Sequence, residues 1–350
     1  MRKCLICHTT EIDWYGICHK CSETNRQMRQ LQTNLNGYTA LVTGGRIRIG
    51  YAVCLRLLRQ GASVIAVTRY PYDALSRYSQ EPDFASFRER LTIYGFDLKR
   101  VDMIDELISF VKSKFPQGLD ILINNAAQTI RKAPSYYIEL DGNERQLRLE
   151  LNADFSIIAQ ENPFIEHSDK MPVPFGETQL SSSDKGCETP MYNSWVAKAD
   201  EISAAEMLEV QLINVTAPFL LVGQLKEHIK SSPNPNKFII NVSSVEGRFN
   251  KTEKLARHVH TNMAKASLNM MTHSLASEYA ADNIFIYSVD PGWVSNQFPA
   301  DYKVSREFKP YLTFEDAAAR ICYPVLLHQY DFKKPKDIGA LYKDYNITEY

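Results

Sequence analysis

The sequence predicts an α/β fold: a doubly wound parallel sheet with a long insertion after its fourth strand and a small metal-binding module at the N-terminus. From Gly37 onward, apolar runs of strand length alternate with helical segments, which is typical of a parallel sheet covered on both faces. The first apolar run enters a glycine-rich turn, Thr43–Gly50, and a helix follows it. Four cysteines precede that run as two Cys-x-x-Cys pairs.

The bulk composition predicts an ordinary globular protein. The chain has 350 residues, of which 44% are hydrophobic and 23% charged, and its net charge is −1. This balance gives no electrostatic attraction toward nucleic acid or a membrane surface. No apolar run approaches the roughly 18 residues of a membrane span, and the N-terminus lacks the apolar core of a signal peptide. We therefore expect a cytoplasmic protein that binds neither nucleic acid nor membranes.

The N-terminal cysteines have the spacing of a four-thiolate metal site. Cys4 and Cys7 form one pair, and Cys18 and Cys21 form the other. Four thiolates close a tetrahedral site with no open position, so we expect a structural Zn²⁺. A redox Cys-x-x-Cys is the rival interpretation, although one pair would suffice for it. The module would occupy residues 1–22, with a helical linker over 23–36, and could cap the domain, steady a dimer or dock a protein partner.

The remaining chain, 37–350, is predicted to be one sheet domain. The expected strands, in order, are Tyr38–Val42, Ser63–Val67, Leu91–Phe96, Gly118–Asn124, Lys237–Val242 and Asn283–Val289, with Gly339–Tyr342 as the last. The expected helices include Ile49–Gln60, Val101–Phe115, Ala205–Lys230 and His260–Ala280.

Residues 128–204 interrupt this alternation and are predicted to be an insertion. They are rich in Pro, Ser and Asp, and a compact α/β domain needs no connection of this length there. The insertion follows the carboxyl end of a strand, where such sheets bind ligands. We therefore expect a substrate lid, the alternative being a surface loop without a chemical role.

Several short motifs, in this order, resemble those of the short-chain dehydrogenase/reductase family over nearly all of 37–350. In the first motif Arg48 replaces the middle glycine of the family pattern. The motifs are Thr43-Gly44-x-x-x-Arg48-Ile49-Gly50, Asp97-Leu98, Asn124-Asn125-Ala126-Ala127, Asn214, Ser243-Ser244, Lys265 and Asp290-Pro291-Gly292-Trp293-Val294.

The resemblance implies a Rossmann-type fold and an oxidoreductase that moves a hydride between a nicotinamide cofactor and a carbonyl or alcohol of a small molecule. It implies that Ser244 steadies the substrate oxygen, Asn214 holds a relay water and Lys265 bonds the nicotinamide ribose. The cofactor would contact the residues of the other motifs, namely Thr43, Gly44, Arg48, Ile49, Gly50, Asp97, Leu98, Asn125, Ala126, Ala127, Pro291, Gly292 and Val294.

The family's catalytic tyrosine is missing from its expected position. Four residues before Lys265 stands Thr261, and an aliphatic hydroxyl titrates several units above a phenol's pKa of ~10. Thr261 can bond a substrate oxygen but is a poor acid or base. His258 and His260, with imidazole pKa values near ~6.5, are the obvious alternative proton donors. Less favoured alternatives come from the insertion, namely Tyr136, Tyr137 and Tyr192.

The charge at the end of the second strand predicts the cofactor. An acidic residue there would bond the ribose hydroxyls of NAD, but this chain has Thr68-Arg69. A guanidinium can pair with a 2′-phosphate in a bidentate way, and Arg46 and Arg48 add positive charge nearby. We therefore expect NADP(H).

Two functions remain open: an NADP(H)-dependent oxidoreductase with an atypical proton donor, and a binding protein that keeps the cofactor without turnover. The helices Ala205–Lys230 and His260–Ala280 correspond to those that pair subunits in this family. The resemblance therefore implies a homo-oligomer, a dimer or tetramer, although packing on the sheet would require the same apolar residues.

Overall fold

The computed structural model describes residues 2–12, 16–132, 134–151, 159–161, 192–250, 254–295, 297–299, 310–329, 335 and 337–350. Residues 152–158 and 162–191 of the predicted insertion lie outside the described residues, so the lid prediction is tested only by the flanking segments. The predicted strands and helices of the sheet domain lie within them.

A nine-stranded sheet forms the centre of the molecule, in the order β11-β10-β9-β8-β6-β3-β4-β5-β7. Neighbouring strands are parallel except for the antiparallel pair β10 and β11. The first two strands form a separate hairpin. The strands are β1 (Arg2–Lys3), β2 (Glu11–Ile12), β3 (Thr39–Thr43), β4 (Ser63–Thr68), β5 (Leu91–Gly95), β6 (Ile121–Asn124), β7 (Ala159–Glu161), β8 (Lys237–Val242), β9 (Ile284–Asp290), β10 (Leu341–Lys343) and β11 (Asn346–Thr348).

Helices cover both faces of the sheet, which confirms the predicted fold class. Along β3, Ala40 and Val42 enter one apolar core with α2 and α11, whereas Leu41 enters the opposite core with α5 and α8. The helices are α1 (His19–Gln30), α2 (Arg48–Arg59), α3 (Pro71–Ser79), α4 (Phe84–Phe87), α5 (Ile104–Lys114), α6 (Pro134–Glu150), α7 (Ala204–Gln211), α8 (Ala217–Gln224), α9 (Lys226–Lys230), α10 (Val259–Ala281) and α11 (Phe314–His328).

The structure adds elements that the sequence did not predict. The predicted linker helix begins earlier, at His19, and ends at Gln30, so residues 31–36 are not helical. The chain continues past the last predicted strand and returns as β11 after a turn at Asp344 and Tyr345, both with positive φ. A π-helical turn, Leu212–Thr216, divides the predicted helix Ala205–Lys230.

Helix α1, whose first turn contains Cys21, packs against α11 through polar contacts. The buried Arg320 guanidinium donates to Asn25 Oδ1 over 2.8 Å and to Asp344 Oδ1. Arg29 pairs with Asp316 at 2.5 Å. Because a buried guanidinium is costly without partners, these bonds tie α1 to the sheet domain.

One helical stretch, Ala204–Gln224, is long and apolar enough by composition to cross a membrane. Its residues Ala217, Leu221 and Val222 are buried in the core beside α5. A core helix passes the same test of composition, so this stretch is weak evidence for a membrane span.

Candidate functional site

In the glycine-rich turn after β3, the backbone lies too close to its neighbours to leave room for side chains at the glycines. Gly44 has φ +74°, and a Cβ on Gly50 would overlap the Gly44 carbonyl oxygen and lie 2.5 Å from Asn125 Nδ2. Arg48, which occupies a glycine position of the family pattern, keeps the left-handed conformation with φ +55°. The arginine therefore preserves the turn at the cost of backbone strain.

Replacing Arg48 by glycine is expected to stabilise the fold. A non-glycine residue in the left-handed region costs roughly 1 kcal/mol, which glycine does not incur. The gain will be partly offset by the greater freedom of glycine in the unfolded chain. Urea unfolding of both proteins measures the difference, and a destabilised Arg48→Gly protein would show that the arginine side chain makes compensating contacts.

The N-terminus of α2 points its donors at a cleft. Ile47, Arg48, Ile49 and Gly50 line this cleft, and among the described residues no side chain caps the helix at Ile47. The first turn also contains no acidic residue. Free N–H groups at the positive end of a helix dipole form a binding site for an anion such as a pyrophosphate.

A hydrogen-bonded brace joins this turn to the end of β6. The hydroxyl oxygen of Thr43 accepts from the N–H groups of Asn125 and Ala126, each over 3.0 Å. In return, Asn125 Nδ2 donates to the Thr43 carbonyl over 2.9 Å. Thr43 thus acts behind the cleft, where it fixes two strand ends at the same edge of the sheet.

The cleft has a volume of ≈ 460 Å³ and runs along the carboxyl ends of β3, β4, β5 and β6. It brings together most of the residues expected to bind the cofactor. These are Gly44, Arg46, Arg48, Ile49, Gly50, Thr68, Arg69, Asp97, Leu98, Asn125, Ala126 and Ala127.

The two arginines expected to bind a 2′-phosphate are engaged differently. Arg46 Nη1 pairs with Asp73 Oδ2 at 2.6 Å, so much of its charge is already neutralised. Arg69 lies against two aromatic rings, those of Tyr70 and Tyr137, with its Cζ at 5.5 and 5.4 Å from their centroids. The prediction that both arginines serve the phosphate is therefore weakened for Arg46.

Asn214 lies in the π-helical turn and bonds the loop that leaves β6. Its Oδ1 accepts from Gln128 N over 2.8 Å, and its Nδ2 donates to Gln128 O over 2.9 Å. Such turns interrupt the regular backbone ladder and frequently mark functional sites. Gln128 itself lines the cleft, so Asn214 holds in place a loop that forms part of the cleft wall.

Ser244 and Lys265 lie beside the end of β8. The Ser244 hydroxyl accepts from Glu246 N over 3.1 Å, and Lys265 Nζ donates to the Val242 carbonyl over 2.6 Å. Burial lowers the pKa of Lys265 to about 8, against the opposing effect of Asp290. Neither residue is among those that line the described cleft.

The stability of the protein should depend on pH through Lys265. Between pH 8 and 10.5 the unfolded chain binds this proton and the folded protein does not, so the free energy of unfolding rises with pH. The expected gain over this window is up to about 3 kcal/mol relative to Lys265→Met. Urea unfolding of both proteins across this range measures it, and parallel curves would contradict the prediction.

Thr261 is positioned as a structural residue in this conformation. Its hydroxyl donates to the His258 carbonyl over 2.8 Å and its side chain is buried. The expectation that this hydroxyl bonds a substrate oxygen would require that bond to break. His258 has φ +40°, stacks on Trp195 at 4.1 Å and has its Nδ1 at 2.9 Å from Asn262 Oδ1. Burial lowers the pKa of His258, which favours a neutral ring.

His260 is enclosed next to a carboxylate. Its Nε2 lies 3.7 Å from Glu206 Oε1, and both side chains are buried. Among the described residues, neither ring nitrogen nor Glu206 Oε1 has a hydrogen-bond partner. Two unsatisfied buried polar groups side by side are unusual and mark a place where a proton or a water can be held.

The tyrosines of the insertion do not converge on Ser244. Tyr136 and Tyr137, on α6, line the cleft near the end of β4, whereas Ser244 follows β8. Three strand spacings separate β4 from β8, which corresponds to roughly 14 Å. Helix α6 thus lies beside the β4 end of the cleft, whereas the last residues of the insertion pack elsewhere: Trp195 stacks on the His258 ring. Tyr192 is not among the lining residues, and burial raises its pKa.

The loop after β9 lines the cleft with Ser295, Gln297 and Phe298, which follow the residues predicted from the sequence. Gly292 has φ +81°, and its N–H donates to Asp290 Oδ1 over 2.9 Å. Pro291, Gly292 and Val294 do not line the described cleft. Several residues that do line it were not predicted from the sequence, namely Ile47, Tyr70, Gln128, Lys132, Leu140, Asn193, Ser295, Gln297 and Phe298.

The four N-terminal cysteines converge. The sulfur atoms of Cys4, Cys7, Cys18 and Cys21 all lie within 4.8 Å of one another. Cys4 Sγ accepts from Cys18 N over 3.2 Å, and Cys7 Sγ lies 3.9 Å from Cys18 Sγ. Four sulfur ligands at 2.3 Å from a tetrahedral ion would lie at similar separations, so the donor set fits Zn²⁺.

Comparison with known proteins identifies the family. Residues 38–168 match the family described as short chain dehydrogenase, and residues 191–322 match that described as Enoyl-(Acyl carrier protein) reductase. The chain belongs to the short-chain dehydrogenase/reductase family. An uncharacterized protein of Acanthamoeba polyphaga mimivirus is 31% identical over 350 residues, which cover 95% of this chain and 73% of the viral one.

Solved structures of this oxidoreductase family share the fold. An NADPH-bound carbonyl reductase from chicken fatty liver has a TM-score of 0.59 and 19% identity, over 91% of this chain and 100% of its own. A short chain dehydrogenase from Burkholderia cenocepacia in complex with NADP has a TM-score of 0.56 and 18% identity, over 84% and 92%. These likenesses support the predicted Rossmann-type architecture.

Proposed function

We propose that the protein is an NADP(H)-dependent oxidoreductase that transfers a hydride to or from a carbonyl or alcohol group of a small molecule. The observation that carries this proposal is the cleft, which combines the uncapped N-terminus of α2 with Arg69 at the end of β4. Family members that bind NADP or NADPH with the same fold support it.

The residues of the cleft fit the cofactor's charges. The N–H groups at the start of α2 would hold the pyrophosphate, and Arg69 would hold the 2′-phosphate. Asp97 and Leu98 would contact the adenine. Lys265, which does not line the cleft, would contact the nicotinamide ribose beyond it. When bound, the cofactor supplies or accepts the hydride.

The proton would come from an imidazole, with Ser244 holding the substrate oxygen. Because the Thr261 hydroxyl is already bonded to a carbonyl, we favour His260, whose ring lies beside the Glu206 carboxylate. His258, two residues earlier at the N-cap of α10, is the alternative donor. Initial rates of His260→Asn and His258→Asn distinguish the two: the proton donor is the residue whose replacement removes turnover but leaves NADPH binding intact.

Replacing Ser244 by alanine should lower kcat by about 10²-fold, because one donor to the developing negative charge is lost. NADPH affinity should not change, since this hydroxyl would contact the substrate. Oxidation of NADPH against a panel of carbonyl compounds, with fluorescence titration of the cofactor, measures both quantities. Equal kcat in the two proteins would remove Ser244 from the mechanism.

A second function, a cofactor-binding protein without turnover, is favoured by one observation. No phenol stands four residues before Lys265, and Thr261 donates its hydroxyl to the His258 carbonyl. Tight NADPH binding by the full chain with no oxidation against the panel would favour this second function. Absence of any dinucleotide binding would contradict both functions.

The proposal also covers a metal site at the four N-terminal cysteines and the oligomeric state of the protein. We propose a structural Zn²⁺ held by Cys4, Cys7, Cys18 and Cys21. We also propose that the protein is cytoplasmic. We propose in addition that it forms a homo-oligomer, because α7, α8 and α10 expose large apolar side chains. These are Leu208, Phe219, Met263 and Met270.

A further inference from the structure

Helix α6, from the insertion, is anchored to the segment that carries Arg69. The buried Glu144 carboxylate accepts from the backbone N–H groups of Tyr72 and Asp73, over 2.7 and 2.8 Å. These are the first free donors of α3, which begins two residues after Arg69. A carboxylate at a helix N-terminus is stabilised by the helix dipole as well as by the two bonds. The position of α6 relative to Arg69 is therefore fixed.

Tyr137, on α6, is the second aromatic residue in contact with the Arg69 guanidinium. Arg69 Cζ lies 5.5 Å from the Tyr70 ring centroid and 5.4 Å from that of Tyr137, both within the range of cation–π attraction. Arg69 is half-buried and lines the cleft together with both rings. A guanidinium held against two rings is fixed at the end of β4, where its remaining N–H donors can bind an anion.

Arg46, another arginine that lines the cleft, is less suited to binding a phosphate. Arg46 lies over the Tyr70 ring at 4.9 Å, but its Nη1 pairs with Asp73, which also pairs with Arg77. A guanidinium whose donor is used by a carboxylate has less charge to offer a ligand. Of these two arginines, Arg69 is therefore the one better able to bind a phosphate at the end of β4.

We propose that Tyr137 is a specificity-determining residue that positions Arg69 for the 2′-phosphate of NADP(H). This inference rests on the proposed function, because it assumes that the cofactor binds in this cleft. It assigns a role in cofactor selection to α6, the described helix of the insertion, which lies beside the end of β4. NADH, which lacks the 2′-phosphate, gains nothing from the positioned guanidinium, so Tyr137 raises affinity for the phosphorylated cofactor alone.

The test compares nucleotides that differ by one phosphate. Calorimetric titration of the full-length chain with adenosine 2′,5′-bisphosphate and with adenosine 5′-monophosphate measures the contribution of the 2′-phosphate without turnover. Tyr137→Leu should weaken the bisphosphate about 5- to 30-fold and leave the monophosphate unchanged. Tyr137→Phe keeps the ring and should keep most of the preference. Ile138→Ala is the matched control, because this neighbour on α6 is 64% exposed and does not line the cleft.

A cycle with Arg69→Met decides whether Tyr137 acts through Arg69. In an Arg69→Met protein, Tyr137→Leu should have no further effect on the bisphosphate, because the group that it positions is gone. Independent, additive losses would overturn the inference, as would an equal loss for both nucleotides in Tyr137→Leu.

Two further outcomes are separable from these. A wild-type chain that binds neither nucleotide would contradict the proposed function itself. Loss of the α6 fold in Tyr137→Leu would appear as a lower melting temperature than that of Ile138→Ala, and Tyr137→Phe then carries the test. A preference in Tyr137→Phe as low as that of Arg69→Met would overturn the inference.

Discussion

Replacing Gly50 by alanine is expected to abolish NADPH binding and to destabilise the protein by about 2–4 kcal/mol. The new Cβ would overlap the Gly44 carbonyl oxygen and lie 2.8 Å from its carbon. The Gly44 peptide cannot move away easily, because Gly44 N and Gly45 N both donate to the Val67 carbonyl, over 2.8 and 3.1 Å. The turn that presents the donors of α2 would therefore be distorted. Fluorescence titration with NADPH and urea unfolding measure the two effects.

Gly223→Ala provides the control for this substitution. Gly223 lies in α8, where an added Cβ would meet nothing within 4 Å. Alanine has the higher helix propensity, so this protein should be as stable as the wild type or more so, with unchanged NADPH affinity. A Gly50→Ala protein that binds NADPH normally would show that the cofactor does not rest on this turn.

Much of the fold could be predicted from the sequence because local patterns determine it. β3 and the turn after it follow from an apolar run and from glycines whose conformations other residues rarely adopt. Even Arg48 keeps the backbone conformation of the glycine that it replaces. The cofactor residues converge because parallel strands end at the same edge of the sheet.

The contacts of individual side chains could not be predicted, because their partners are distant in sequence or lack a pattern. Arg46 is neutralised by Asp73, which belongs to a helix that the sequence analysis did not predict. Thr261 bonds the carbonyl of His258 because the backbone at His258 turns into the left-handed region. The position of α6 depends on Glu144, one carboxylate in a segment of low hydrophobic periodicity.

The packing of α1 against the sheet domain could not be predicted from the sequence either. Arg320 lies in an apolar helix and is nearly inaccessible to solvent, yet it bonds both Asn25 of α1 and Asp344 after β10. A sequence pattern would assign such an arginine to the surface. Its burial links the module to the strand that pairs with β9, so the stability of the module and of the sheet domain should be coupled.

Removal of Zn²⁺ is expected to unfold the module and to lower the melting temperature of the whole chain. The module has few apolar side chains of its own, and β1 and β2 are two-residue strands. Structural Zn²⁺ sites contribute apparent binding free energies of roughly 10 kcal/mol or more at pH 7, against about 1 kcal/mol for a hydrogen bond. Once α1 detaches, Arg320 loses Asn25 and remains buried with fewer partners. Metal analysis and thermal unfolding, before and after chelation, measure both effects.

Cys21→Ser should reproduce the effect of chelation, because the remaining three thiolates leave the site open. Cys322→Ala is the matched control: this cysteine is also buried and unpaired but belongs to α11, outside the cluster. It should retain one Zn²⁺ per chain, whatever its own effect on stability. The redox interpretation makes the opposite prediction, since Cys21→Ser would then leave metal content at zero as in the wild type and change the response to oxidants. A wild-type chain purified without metal, with a melting temperature insensitive to chelators, would exclude the structural Zn²⁺ site.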